Sequence, residues 1–312
     1  MFTDLNKTLK EVKERCRKKK KWDDHLHRAK ELLLVEKKKE QELYRLLKKE
    51  KADVERLESF SINNLFYTII GRKLERLEKE KGEVAVAKLK YQEAIKTKED
   101  LEKEIKEYKE LLLTVSGCEK EYEKLLLQKE TIIKDESTIW TEELYNLLED
   151  ETEIESMLNE YVEAKAAGII AANSLKDVIL SLEKAKGWST FDMLGGGMIT
   201  TAVKHSHLGT AKDDLHVAQS KLRHFQEELL DIKNHFHIDL EIGNMLTFAD
   251  YFFDGLIVDW MVHGKISDSL NQAYNMEKQV NDMLDRLEID LNKLVRKHKE
   301  LQERRVNLLE NA

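Results

Sequence analysis

The chain has 312 residues and no proline, with charged residues at 37% and aromatics at 7%. Proline normally makes up about 5% of such a chain; without it no ring breaks a long helix, and the Leu-, Lys- and Glu-rich profile is that of a coiled coil rather than a compact α/β enzyme. The net charge of −8 and pI near 5.8 weigh against a nucleic-acid binder.

The first arm spans roughly residues 5–59. Leu26, Ala29, Leu33, Leu43, Leu47, Val54 and Leu57 give it an imperfect apolar stripe. Its start is heavily basic: residues 7–21 carry nine Lys or Arg against Glu11 and Glu14. Lys18, Lys19, Lys20 and Lys21 surround the helix, so they offer either an anionic-surface contact or a solvated helix start. A third reading pairs this run with the acidic stretch at 149–163. Residues 60–71 then form an apolar interruption, where Ser61, Asn63 or Asn64 can cap a short helix and Gly71 can end or bend it.

The second arm begins near Lys73. Val84, Ala87, Tyr91, Ala94, Lys98, Leu101, Ile105, Tyr108, Leu112 and Val115 recur in steps of three and four, an a/d seam, with a slip near Gly117 and an end near residue 134. The third arm keeps the spacing from Trp140 through Leu147, Ile154, Tyr161, Gly168, Ala172, Leu175 and Ile179 to Leu182, and turns to small residues over 164–172. A second apolar and glycine-rich interruption follows at 187–199. The fourth arm carries Leu208, Ala211, Leu215, Ala218, Leu222, Phe225, Leu229, Ile232 and Phe236. Residues 240–262 are apolar around the whole circumference, yet Glu241, Asp250, Asp254 and Asp259 make a lipid span expensive, so a packed bundle end is favoured. After a turn at 263–265, a last arm runs on Leu270, Ala273, Val280, Leu284, Leu287, Leu291, Leu294 and Leu301.

These arms predict an all-α fold: an elongated antiparallel coiled-coil bundle of about five long helices. It reads as one domain over 1–312, with hairpin arms at 1–134 and 135–263, tips near 60–72 and 187–200, and a C-terminal helix at 266–312. Arms two and three would each be about 75–90 Å long if straight. Short connections make successive arms antiparallel, which brings both tips to one end of the rod. At the level of architecture the pattern resembles helical scaffold and membrane-remodelling proteins, and no motif ties it to one family.

The tips are the first candidate site. Leu65, Phe66, Ile69, Ile70, Trp188, Phe191, Met193 and Leu194 could pack on each other to close the rod, grip a protein partner, or enter a bilayer interface. Gly195-Gly196-Gly197 has neither the Lys-Ser/Thr of a P-loop nor a preceding strand. The histidine pairs His25/His27, His205/His207 and His235/His237 stand two apart, on nearly opposite helix faces, which suits no shared metal. Asp250 and Asp254 share a face without a nucleophile, base and orienting group around them. No cofactor and no catalytic set is expected. Cys16 and Cys118 have no metal-type spacing, and with no signal core or apolar span of about 20 residues they point to the cytoplasm. The leading expectation is a non-enzymatic scaffold that self-assembles or docks a protein partner. A peripheral membrane protein using its tips or basic start is the alternative, a helical pore-former the minority one.

Overall fold

The structure, a computed structural model, describes residues 2–59, 67–135, 139–192, 200–236 and 266–310. These residues form an all-α bundle: α1 (Phe2–Ser59), α2 (Tyr67–Thr114), α3 (Cys118–Asp135), α4 (Ile139–Asp192), α5 (Thr200–Phe236) and α6 (Ile266–Glu310). Five of the six are long. At 58 residues α1 alone extends about 87 Å.

The helices pack as two units. In the first, α1 and α2 run antiparallel, since Lys37, Glu40 and Glu58 meet Glu102, Lys98 and Lys81 in reverse order. Leu26 and Ala29 pack on Leu101 and Ile105, with Leu32, Leu33, Tyr108 and Leu112 at their margin. Elsewhere α1 and α2 bury Glu50, Leu47, Ala87 and Ala94. The expected slip near Gly117 is a break. α2 ends at Thr114, Gly117 takes a φ of +79°, and α3 restarts at Cys118. A side chain at Gly117 would strain this left-handed backbone. α3 continues antiparallel to α1, with Arg15 and Lys19 meeting Glu121 and Glu119.

The second unit is a three-helix bundle centred on α4. α5 and α6 both run antiparallel to it: Ser181 meets Asp214, and Glu183, Lys165 and Glu151 meet Tyr274, Glu288 and Arg305. α6 is therefore parallel to α5, although simple alternation would reverse it; residues 237–265 are too long a connection to impose an antiparallel turn. The core is continuous and apolar, from Tyr161, Ala164, Ala171, Leu175, Val178 and Leu182 of α4 to Leu215, Leu222, Phe225 and Leu229 of α5 and Ala273, Met276, Val280 and Leu287 of α6. The small residues set the helix spacing. A Cβ added at Gly168 would lie 2.7 Å from Leu284 Cδ2 and 2.8 Å from Phe225 Cε2, so all three helices converge on the missing side chain.

The interruptions are shorter than their composition suggests. α2 already begins at Tyr67 and includes Gly71, and α4 runs through Gly187 to Asp192. The order of contacts makes α1 parallel to α4 (Lys10–Glu155, Lys21–Glu160) and α2 parallel to α5 (Gln92–Lys212, Glu104–Arg223). The helix ends flanking 60–66 and 193–199 thus lie at the same end of the rod. Residues 240–262 and the turn at 263–265 lie outside the described residues.

Candidate functional site

Of the tip residues, Leu65, Phe66, Met193 and Leu194 lie outside the described residues. Ile69 and Ile70 fall in the first turn of α2, and Trp188 and Phe191 near the end of α4, but their side chains are outside the described set as well. The basic run is better defined. Lys18 and Lys20 are exposed and Lys19 pairs with Glu119. Lys21 is buried. Its Nζ lies 2.9 Å from Glu160, 2.5 Å from Glu163, 3.0 Å from Glu228 and 3.6 Å from Asp231. Further up, Lys10 meets Glu155 and Lys13 meets Glu149. The basic start is thus a partner for the chain's own acidic stretch.

Lys21 opens a polar stripe on α1 at i, i+4 and i+7, the spacing of one helix face. Its other members are His25 and Arg28. His25 Nε2 donates to Asp231 Oδ2 at 2.5 Å. The Tyr108 hydroxyl lies 3.1 Å from His25 Nδ1, with the two rings edge to face. Arg28 reaches Glu227 and Asp231. Burial alone would pull the Lys21 pKa down, but Glu228 and Glu160 carry it well above the ordinary lysine range. Burial likewise opposes ionisation of Asp231, yet the His25 hydrogen bond and the His25, Lys21 and Arg28 charges hold its pKa below the usual value. Glu160 goes the other way: burial, joined by Glu163 and Asp231, outweighs Lys21 and raises its pKa.

A second set joins α2 to α5, with the signs mostly reversed. Glu93 and Asp100 hold His216, Glu104 holds Arg223 at 2.7 Å, and Lys96 holds Asp213 at 2.7 Å. The Glu93 hydrogen bond, against burial, raises the His216 pKa. The two apolar cores are separate clusters, and the contacts named between the units are ionic or polar. Long charged side chains therefore set how the units register. α1 supplies cations and α2 mainly anions, so a shifted docking would oppose like charges.

A cleft of about 50 Å³ between α1, α3 and α4 is lined by Leu9, Lys13, Tyr122, Lys129 and Tyr145 among others; ordinary ligand pockets hold about 300–1,000 Å³. Lys129 lies 3.8 Å over the Tyr145 ring, and burial, opposed by Glu149 and aided by Lys13, lowers its pKa to about 8. Among the described residues two carboxylate triads have metal-like spacing, Glu50/Glu80/Glu83 and Glu160/Glu163/Glu228. The first faces Lys49, Arg76 and Lys79, and the Lys21 ammonium occupies the second.

The outer face of α4 is different. Val162 (52% exposed), Ile169 (45%), Ile170 (49%) and Leu180 (52%) all point away from α5 and α6. With exposed Ala166, Asn173 and Lys176, Val162, Ile169 and Leu180 repeat in steps of three and four, the a/d spacing of a coiled-coil seam, and Ile170 flanks it. The core seam of α4 hid this second one in the sequence, because two overlapping stripes on one helix read as a broad apolar face. The polar stripe on α1 had a legible signal in the Lys21, His25 and Arg28 spacing, but nothing local named its partners. No family model matches the chain, and the comparisons with curated proteins and with solved structures found no match. No helix among the described residues is long and apolar enough to cross a membrane.

Proposed function

We propose that this chain is a non-enzymatic helical scaffold that self-assembles or docks a helical protein partner through the outer face of α4. The outward seam of Val162, Ala166, Ile169, Asn173 and Leu180 carries the reading. Its spacing matches what a second helix covers in a coiled coil, and α4 is already held rigid from behind by α5 and α6. Docking would remove four large apolar side chains from water without disturbing the core. A cytoplasmic setting belongs to this reading and rests on the sparse cysteines. A peripheral membrane role through the basic start has less support, because Lys10, Lys13, Lys19 and Lys21 are engaged within the chain.

Sedimentation over a concentration series, with pull-down from lysate, tests the proposal on wild type and on an Ile169→Glu/Ile170→Glu variant. The expected result is a wild-type oligomer or captured helical partner that the variant loses while its circular dichroism and melting stay unchanged. A wild-type monomer at every concentration with nothing captured overturns the reading, as does an assembly the variant keeps.

A further inference from the structure

The chain has only two cysteines, separated by most of the first unit, and the packing of α3 on α1 brings them near each other. On α1, Leu9, Val12 and Cys16 follow steps of three and four along the face that α3 covers, and Val115, Cys118 and Tyr122 do the same on the opposing strand of chain. The flanking pairs Arg15–Glu121 and Lys19–Glu119 set the register that puts Cys16 opposite Cys118. The Cys118 sulfur lies within hydrogen-bonding reach of the Cys16 thiol. Cys16 is half-buried and Cys118 is fully buried.

We propose that Cys16 and Cys118 form a redox-active dithiol that a small-molecule disulfide such as oxidised glutathione converts to an intramolecular disulfide, stapling α3 to α1. Exposure assigns the order. The Cys16 thiolate attacks one sulfur of the small disulfide and expels a thiolate, leaving a mixed disulfide on Cys16. The Cys118 thiolate then attacks Cys16 Sγ and expels the second small thiolate. The two thiol protons end on the two expelled thiolates, so the small disulfide is reduced to two thiols and the cysteine pair is oxidised. Burial, the neighbouring Cys118 thiol and the nearby Glu119 push the Cys16 thiol up to about 12. At neutral pH the first attack is therefore slow, and it accelerates as pH rises.

The site has structural consequence because of where it sits. Cys118 is the first residue of α3, directly after the left-handed turn at Gly117, and α3 packs chiefly on α1. A bond there closes a loop of about 100 residues, which constrains the unfolded chain strongly, and ties down the short helix that leads into α4.

Full-length protein is incubated with oxidised glutathione at mildly alkaline pH, then read by intact mass, non-reducing peptide mapping and thermal melting, beside Cys16→Ser and Cys118→Ala. The expected wild-type product is a monomer that has lost two hydrogens, with the Cys16 and Cys118 peptides linked and a melting temperature above that of the reduced protein. Cys118→Ala is expected to stop at a stable glutathione adduct on Cys16, and Cys16→Ser to stay unmodified while folded. Wild type that halts at the glutathione adduct, forms only disulfides between chains, or keeps two free thiols overturns the proposal.

Discussion

The two helical units are made from similar residues and held together differently. The α4–α5–α6 unit buries one unbroken apolar core, tightened by Ala164, Ala167, Gly168, Ala171 and Ala172 until three helices meet at a missing side chain. The α1–α2–α3 unit has a small apolar cluster, buried polar residues such as Lys21, His25 and Glu93 that meet the other unit, and a break at Gly117. It leans on the other unit through charges. Hydrophobic cores tolerate little change in volume, whereas ionic seams tolerate volume and depend on partners and pH. The α4–α5–α6 unit is thus built to be stiff, the α1–α2–α3 unit to be positioned.

The comparison breaks most sharply at Phe225. Phe225→Ala empties a fully buried site and is expected to cost about 3–5 kcal/mol, read as a lower urea midpoint with hydrogen exchange accelerating through α4, α5 and α6 and much less in α2. Next is Lys21→Met, which leaves the buried carboxylates of Glu228 and Asp231 short of a cation and should cost on the order of 3 kcal/mol. Its double-mutant cycle with Glu228→Gln should show strong coupling; additive effects would mean the pair contributes nothing. Gly168→Ala forces Leu284 and Phe225 aside and is expected to cost about 1–3 kcal/mol. An unchanged melting temperature would show that the helices can part without loss.

The smallest effect is at His216, where His216→Gln should cost about 1 kcal/mol. Its folded pKa is raised, so its contribution is complete below the ordinary histidine range and is lost as pH rises through the folded value. The stability gap between wild type and variant should therefore narrow from mildly acidic to alkaline pH. A gap independent of pH would remove the ionised histidine from the seam. Asp231 has the opposite sense: its lowered pKa gives stability at neutral pH that is lost as pH falls through the folded value. The seam should hold best between these limits.

Much of the frame was readable from spacing. Of the residues assigned to the α4, α5 and α6 seams, Leu147, Ile154, Tyr161, Leu175, Leu182, Leu215, Leu222, Phe225, Leu229, Val280 and Leu287 are buried, and Leu284, Leu291 and Leu294 are partly buried. A repeat of three and four defines a helix face whatever lies opposite, and the absence of proline leaves such faces unbroken. The small residues at 164–172 likewise announced a close approach. The candidate sites were less legible. The basic start of α1 carried several readings, because a charge run has the same composition whether it faces water, lipid or an acidic helix. The side chains of the tip residues remain outside the described set.

Local sequence therefore determined that this chain is helical, where most helices run, and which face of each turns inward, because those properties repeat within a few residues. The tertiary structure decided what faces what. Lys21 against Glu228, His25 against Asp231 and Cys16 beside Cys118 join residues far apart in the chain. So did the parallel run of α5 and α6, which no short turn could encode. Such pairings depend on helix register and on the order in which arms stack, and neither leaves a local pattern to read.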